Sequence, residues 1–111
     1  MQVHINHLES TLDTDDGDGG AQPALVERVE REHGAIEVLV FNIGANVPCS
    51  ILEETPRKYF KIWEMACFGG FLNAREVALR MVGRGRGTIL FTGATASLRG
   101  STNFAAFEIG R

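Results

Sequence analysis

The sequence predicts an α/β domain organised around one strand–helix–strand crossover with parallel strands. Two apolar runs, residues 36–41 and 88–92, carry the β-branched and aromatic side chains that suit a pleated surface. Between them residues 55–81 repeat apolar positions at helical spacing, and a connection of that length between two strands is the right-handed crossover that makes them parallel. The chain has 111 residues, 44% hydrophobic and 23% charged, which bounds the answer to one small domain.

Taken in order, residues 1–20 form a polar, acidic, Gly-rich N-terminal segment, set apart from a domain spanning residues 21–111. A short strand is predicted at residues 3–5, followed by a solvated turn ending in Asp16-Gly17-Asp18-Gly19-Gly20. A calcium loop fails in either register: Gly17 in sixth place puts Leu12 first and Pro23 twelfth, and Gly19 puts Leu25 twelfth, where a Glu is needed. His4 and His7 share a three-residue spacing, but the sequence supplies no third ligand, so no metal site is expected.

From Pro23 the pattern turns helical, with Leu25, Val26 and Val29 on one stripe, charged residues between them, and Gly34 as the stop. Residues 36–41, Ile-Glu-Val-Leu-Val-Phe, read as a strand buried on both faces, and Asn42, Gly44, Asn46 and Pro48 break it into a loop. Thr55 is placed as the N-cap of the long helix, with Pro56 at its first position. Tyr59, Ile62, Trp63, Ala66, Gly70, Val77 and Met81 recur at roughly helical spacing, and Gly83 is the predicted stop. The run from Gly83 to Gly87 reads as a solvated turn into the second strand. Two such strands alone leave apolar faces and unpaired edges, which another part of the chain or a second chain must cover.

Composition removes several functions. A net charge of -3, from 11 basic and 14 acidic side chains, lacks the cationic excess that phosphate backbones demand, so nucleic acid is not an expected partner. No apolar run approaches the ~18 residues of a membrane span. The first ten residues carry no basic-then-apolar leader, and the expected location is cytoplasmic, with Cys49 and Cys67 as isolated free thiols.

The order of segments resembles the short-chain dehydrogenase/reductases. Gly34-x-x-Glu37-Val38-Leu39-Val40-Phe41-Asn42-Ile43-Gly44 is similar to that family's G-x-x-D-x-L-V-N-N-A-G segment, and the strand beginning at Gly87-Thr88-Ile89 falls at its G-x-I-x-x-x-S-S strand. One long helix carrying Gly69-Gly70-Phe71 bridges the two. The resemblance implies a Rossmann-like βαβ unit, part of a doubly wound sheet, in a relative of NAD- or NADP-dependent oxidoreductases that move hydride between the dinucleotide and an alcohol or carbonyl. It places Asn42, Gly44, Thr92 and Gly93 beside the cofactor.

The same resemblance assigns no catalytic residue. In the family a Tyr donates the proton, a Lys lowers its pKa, a Ser polarises the substrate oxygen and a helix Asn holds a relay water. The matching positions hold Phe107, Arg111, Ala94 and Ala66. Phe has no ionisable hydroxyl and Ala gives a developing oxyanion no hydrogen bond. The family's Gly-rich phosphate turn lies upstream of the matched segments, and Gly17-Asp18-Gly19-Gly20 follows no apolar strand that would make it one. A competing match of Thr92-Gly93-Ala94-Thr95 to the T-G-A-T-G-x-x-G opening of a dinucleotide unit fails at Ala96 and Arg99, where glycines are needed. The expected protein is therefore a partial family member, inactive alone; the alternatives are a helix-mediated interaction module and a weak nucleotide binder acting through Asn42, Gly44, Thr92 and Gly93. Its predicted partner is a second copy, met through helix 55–81 or through the strand edges, with the small residues Ala66, Gly69, Gly70 and Ala74 available either for helix contact or for packing on the sheet.

Overall fold

The structure is a computed structural model, and it describes residues 22–44 and 47–99. The predicted strand at 3–5, the acidic turn, the two histidines, Asn46, Phe107 and Arg111 lie outside the described residues.

Helix α1 (Gln22–His33) leads into strand β1 (Val38–Phe41); helix α2 (Pro56–Trp63) runs through a π-helical turn (Glu64–Phe68) into helix α3 (Gly69–Arg84) and then strand β2 (Thr88–Phe91). A single short turn of helix, α4 (Ala96–Arg99), follows. The strands pair in parallel, Val38 opposite Thr88 through Phe41 opposite Phe91, so the α/β class and the crossover are as the apolar runs predict.

Strand β1 is shorter than the apolar run at 36–41 because side chains take the backbone of Ile36. Its N–H donates to Glu30 Oε1 at 3.2 Å and its carbonyl accepts from Arg84 Nη2 at 2.6 Å. Those bonds tie the end of α1, the end of α3 and the entry to β1 at one point. Glu30 Oε1 also accepts from Arg84 Nη1 at 2.9 Å, and Arg80 Nε lies 3.2 Å from Glu30 Oε2.

Alternation within the strands sends Leu39 and Ile89 towards α1 and α3, where they pack on a core of Val26, Val77 and Met81. The opposite face carries Val38, Val40 and Leu90, all more than half exposed. A strand buried on both faces is thus corrected to a sheet covered on one face among the described residues. No described element lies over the second face.

The long helix departs from its predicted form in two places. Thr55 caps it as expected, its hydroxyl accepting the Lys58 N–H at 3.3 Å, with Pro56 at the first position, where a missing N–H costs nothing. It then widens into the π turn, with the Gly69 N–H reaching back to the Glu64 carbonyl. In a uniform α-helix Ile62 and Gly70, eight residues apart, would differ by about 80° in azimuth. The wider turn brings Ile62, Ala66 and Gly70 onto the same buried side. The helix also passes through Gly83 and ends one turn-residue later. Gly85 sits in the left-handed region at φ 72°, its N–H donating to the Val82 carbonyl and that of Arg86 to Met81. That double bond pattern needs a residue free of Cβ strain, which is why Gly85, and not Gly83, is the stop.

Candidate functional site at the carboxyl rim of the sheet

Parallel strands bring their carboxyl ends to one rim, and ligands of open α/β sheets bind there. The register sets Phe41 beside Phe91, so Asn42 and Thr92 leave the sheet side by side. The Thr92 N–H donates to the Phe41 carbonyl at 3.0 Å, which continues the ladder one step past β2 and fixes the two exits relative to each other. Asn42, Gly44, Thr92 and Gly93 are all exposed at this rim. A Cβ built on Gly93 would meet nothing within 4 Å, so the backbone there is open to approach. Neither Gly44 nor Gly93 has a positive φ; the positive-φ glycines among the described residues are Gly34, Gly85 and Gly87.

Beneath the rim, Phe41 is buried and meets Phe91 at a ring-centroid distance of 6.1 Å and a tilt of 58°. Both rings press on Gly70: a Cβ there would lie 3.1 Å from Phe41 Cε1 and 3.4 Å from Phe91 Cε1. Gly69, Gly70 and Ala66 are buried, and Gly70 is the point where the helix approaches the sheet. That contact gives the rim a rigid floor. The sequence carried its signal as Gly69-Gly70 in mid-helix, a pair that weakens a helix unless something packs closely against it.

One hydroxyl near the rim, that of Ser97, is engaged locally. Ser97 Oγ donates to the Ala94 carbonyl at 2.6 Å and the Ser97 N–H to the same oxygen at 3.2 Å, which closes the turn into α4. Ala94 is half-buried and Ala66 buried. Among the described residues no three His, Cys, Asp or Glu side chains converge on a point that would hold a metal ion. No helix among them is long and apolar enough to cross a membrane.

With this geometry, a family model for short chain dehydrogenases matches residues 7–108. The chain belongs to the short-chain dehydrogenases. A short-chain dehydrogenase from Rhodopseudomonas palustris is 50% identical and superimposes with a TM-score of 0.72, over 79% of this chain and 41% of that one. Two more distant structures show the same fold. An NAD+-bound xylitol dehydrogenase has 23% identity and a TM-score of 0.76, covering 81% of this chain and 35% of that one. A 3-oxoacyl (acyl-carrier-protein) reductase from Agrobacterium tumefaciens C58 with NADP bound has 21% identity and a TM-score of 0.73, covering 81% and 34%. The chain thus spans about two fifths of the length of the first of these short-chain dehydrogenases and about a third of the other two.

The strongest electrostatic feature stands away from the rim. Burial pushes the Glu30 carboxyl up, but the Ile36 N–H, the hydrogen bond and charge of Arg84 and the charge of Arg80 outweigh it, leaving the group below the ordinary 4.5. This cluster clamps α1 to α3. Sequence reading missed it because its partners lie up to 54 positions apart, as Glu30 and Arg84 do.

Proposed function

We propose that this chain supplies the sheet centre of an NAD- or NADP-dependent oxidoreductase, and that the 111-residue polypeptide by itself transfers no hydride. The observation that carries the reading is the paired strand exit, Asn42 beside Thr92, held by the bond from the Thr92 N–H to the Phe41 carbonyl at 3.0 Å. An amide, a hydroxyl and the open backbone of Gly44 and Gly93 suit ribose hydroxyls and a base edge. These four residues bring no cation to neutralise a pyrophosphate. When bound, a nicotinamide dinucleotide supplies the hydride chemistry, which turns over an alcohol or carbonyl only if a proton donor stands nearby. Ala94 and Ala66 cannot donate, and Phe107 has no ionisable group. The two thiols, Cys49 half-buried and Cys67 exposed, are free, which supports a reducing, cytoplasmic setting.

The test is an amide-resolved NMR titration of the purified chain with NADH and NADPH. Expected are shifts confined to the amides of Asn42, Gly44, Thr92 and Gly93, with dissociation constants on the order of millimolar, the weak range for a contact lacking its charged grip. Alcohol oxidation by the same sample should be absent. Saturable micromolar binding, shifts located elsewhere, or turnover would each overturn the reading.

A further inference from the structure

The two ends of the sheet differ in charge. At the amino end, where α1 leads into β1 and α3 into β2, the short connections carry Glu37 and Arg86, paired at 2.9 Å, next to the bond between Glu30 and Arg84. At the carboxyl end the connections carry no charge: residues 42–52 after β1 and residues 92–98 after β2 contain no Asp, Glu, Lys, Arg or His. In a chain that is 23% charged, neutral stretches of that length on both sides of one rim set it apart from the rest of the surface. The first charges beyond them, Glu53 and Arg99, stand where the two connections end.

The serines of both connections are engaged with their own backbone. The Ser50 carbonyl accepts the Glu53 and Glu54 N–H groups, each at 3.0 Å, and the Ser50 hydroxyl oxygen accepts the Leu52 N–H at 3.3 Å. The Ser97 hydroxyl donates to the Ala94 carbonyl, and the Leu98 N–H to the Thr95 carbonyl at 3.1 Å. These bonds close two turns that hold large aliphatic side chains out in water. Ile51 and Leu52 are 70% and 92% exposed, and Leu98 is 87% exposed. Fixed aliphatic side chains at the end of the sheet where open α/β folds take their ligands suit a ligand of hydrocarbon character.

Resting on the proposed function, which makes this rim the ligand end, we propose that the alcohol or carbonyl compound taken here is uncharged and mostly hydrocarbon, with Leu98 and the Ile51–Leu52 turn as its apolar contacts. A carboxylate or phosphate on the substrate would give up its water without meeting a cation in residues 42–52 or 92–98. A polyol would find the hydroxyls of Ser50 and Ser97 already engaged and its own left short of partners. A hydrocarbon chain or ring gives up no hydrogen bond on entering, and it takes water off the exposed leucines.

Methyl NMR of the full chain, titrated with n-hexanol, sorbitol and hexanoate, tests this, since the three share a carbon count and differ in polarity and charge. n-Hexanol should move the methyl signals of Ile51, Leu52 and Leu98 more than any others, saturating on the order of millimolar. Sorbitol and hexanoate should bind at least about tenfold more weakly. Replacing both leucines, Leu52→Asp with Leu98→Asp, should raise the n-hexanol dissociation constant at least about tenfold and leave the NADH-induced amide shifts as they are in wild type. Far-UV circular dichroism checks the fold, and Leu52→Ser with Leu98→Ser carries the test should the aspartate variant unfold. Hexanoate or sorbitol binding as well as n-hexanol overturns the proposal. So do n-hexanol shifts that are largest elsewhere, or a folded double variant that binds n-hexanol unchanged. NADH binding without n-hexanol binding overturns the substrate class alone, whereas n-hexanol binding at these methyls without NADH binding supports it and overturns the cofactor reading.

Discussion

Leu39 and Ile89 each stand one residue from Val40 and Leu90 along their strands, yet the first pair packs against Val26, Val77 and Met81 while the second pair is about half exposed. All four are aliphatic, so composition does not separate them. The difference comes from what lies above and below the sheet: α1 and α3 cover one face, and no described element covers the other. A strand sequence that is apolar on both sides therefore records the surroundings it is built for, not only those the described part of the chain supplies.

Mutation of the covered face should have the largest effect. Met81→Ala removes a buried side chain from the point where α1, α3 and Ile89 meet, and a loss of about 2–5 kcal/mol in urea unfolding is expected. A loss below about 1 kcal/mol would mean that the covered face holds no real core, and the contrast between the faces would vanish.

The clamp at the edge of that face should come next. Glu30→Gln keeps the size of the side chain but gives up the charge-assisted bonds to Arg84 and Arg80, which water partly screens, for an expected loss of about 1 kcal/mol at neutral pH. The folded carboxyl is held below the 4.5 of an unperturbed glutamate, so its contribution is present above that value and is lost as pH falls through the lower, folded one. Unfolding curves of wild type and Glu30→Gln, separated at pH 7, should accordingly converge on acidification below pH 4.5. A gap that stays constant into acid would assign the loss to packing and not to the carboxylate.

The smallest effect is expected on the open face. Val40→Thr exchanges a methyl for a hydroxyl in a strand-compatible residue, and where the face is open it should move stability by no more than about 0.5 kcal/mol. A loss several times larger would show that the face is covered in solution, and would redraw the comparison in favour of two buried faces.

Much of this architecture was legible in local patterns. The cap at Thr55 with Pro56, the stripe of α1 and the apolar runs of β1 and β2 are rules acting within a few residues, and each fell within a residue or two of its predicted place. The helix stop was misplaced because Gly83, Gly85 and Gly87 are equivalent by composition. Only the pair of backbone bonds closing on Met81 and Val82 selects Gly85. At the rim, order in the sequence was enough to name Asn42 and Thr92, but the bond that sets them side by side exists only once the crossover is made.

The sequence by itself determined the α/β class, the parallel pairing implied by a long helical connection, and the absence of hydroxyls at Ala66 and Ala94, because these follow from periodicity and side-chain chemistry. The tertiary structure decided which face of each strand is covered, why Gly70 must be small against Phe41, and how Glu30 gathers Arg80, Arg84 and Ile36. These depend on residues far apart in the chain arriving at one place, and distance in space between such residues is a property that no local pattern encodes.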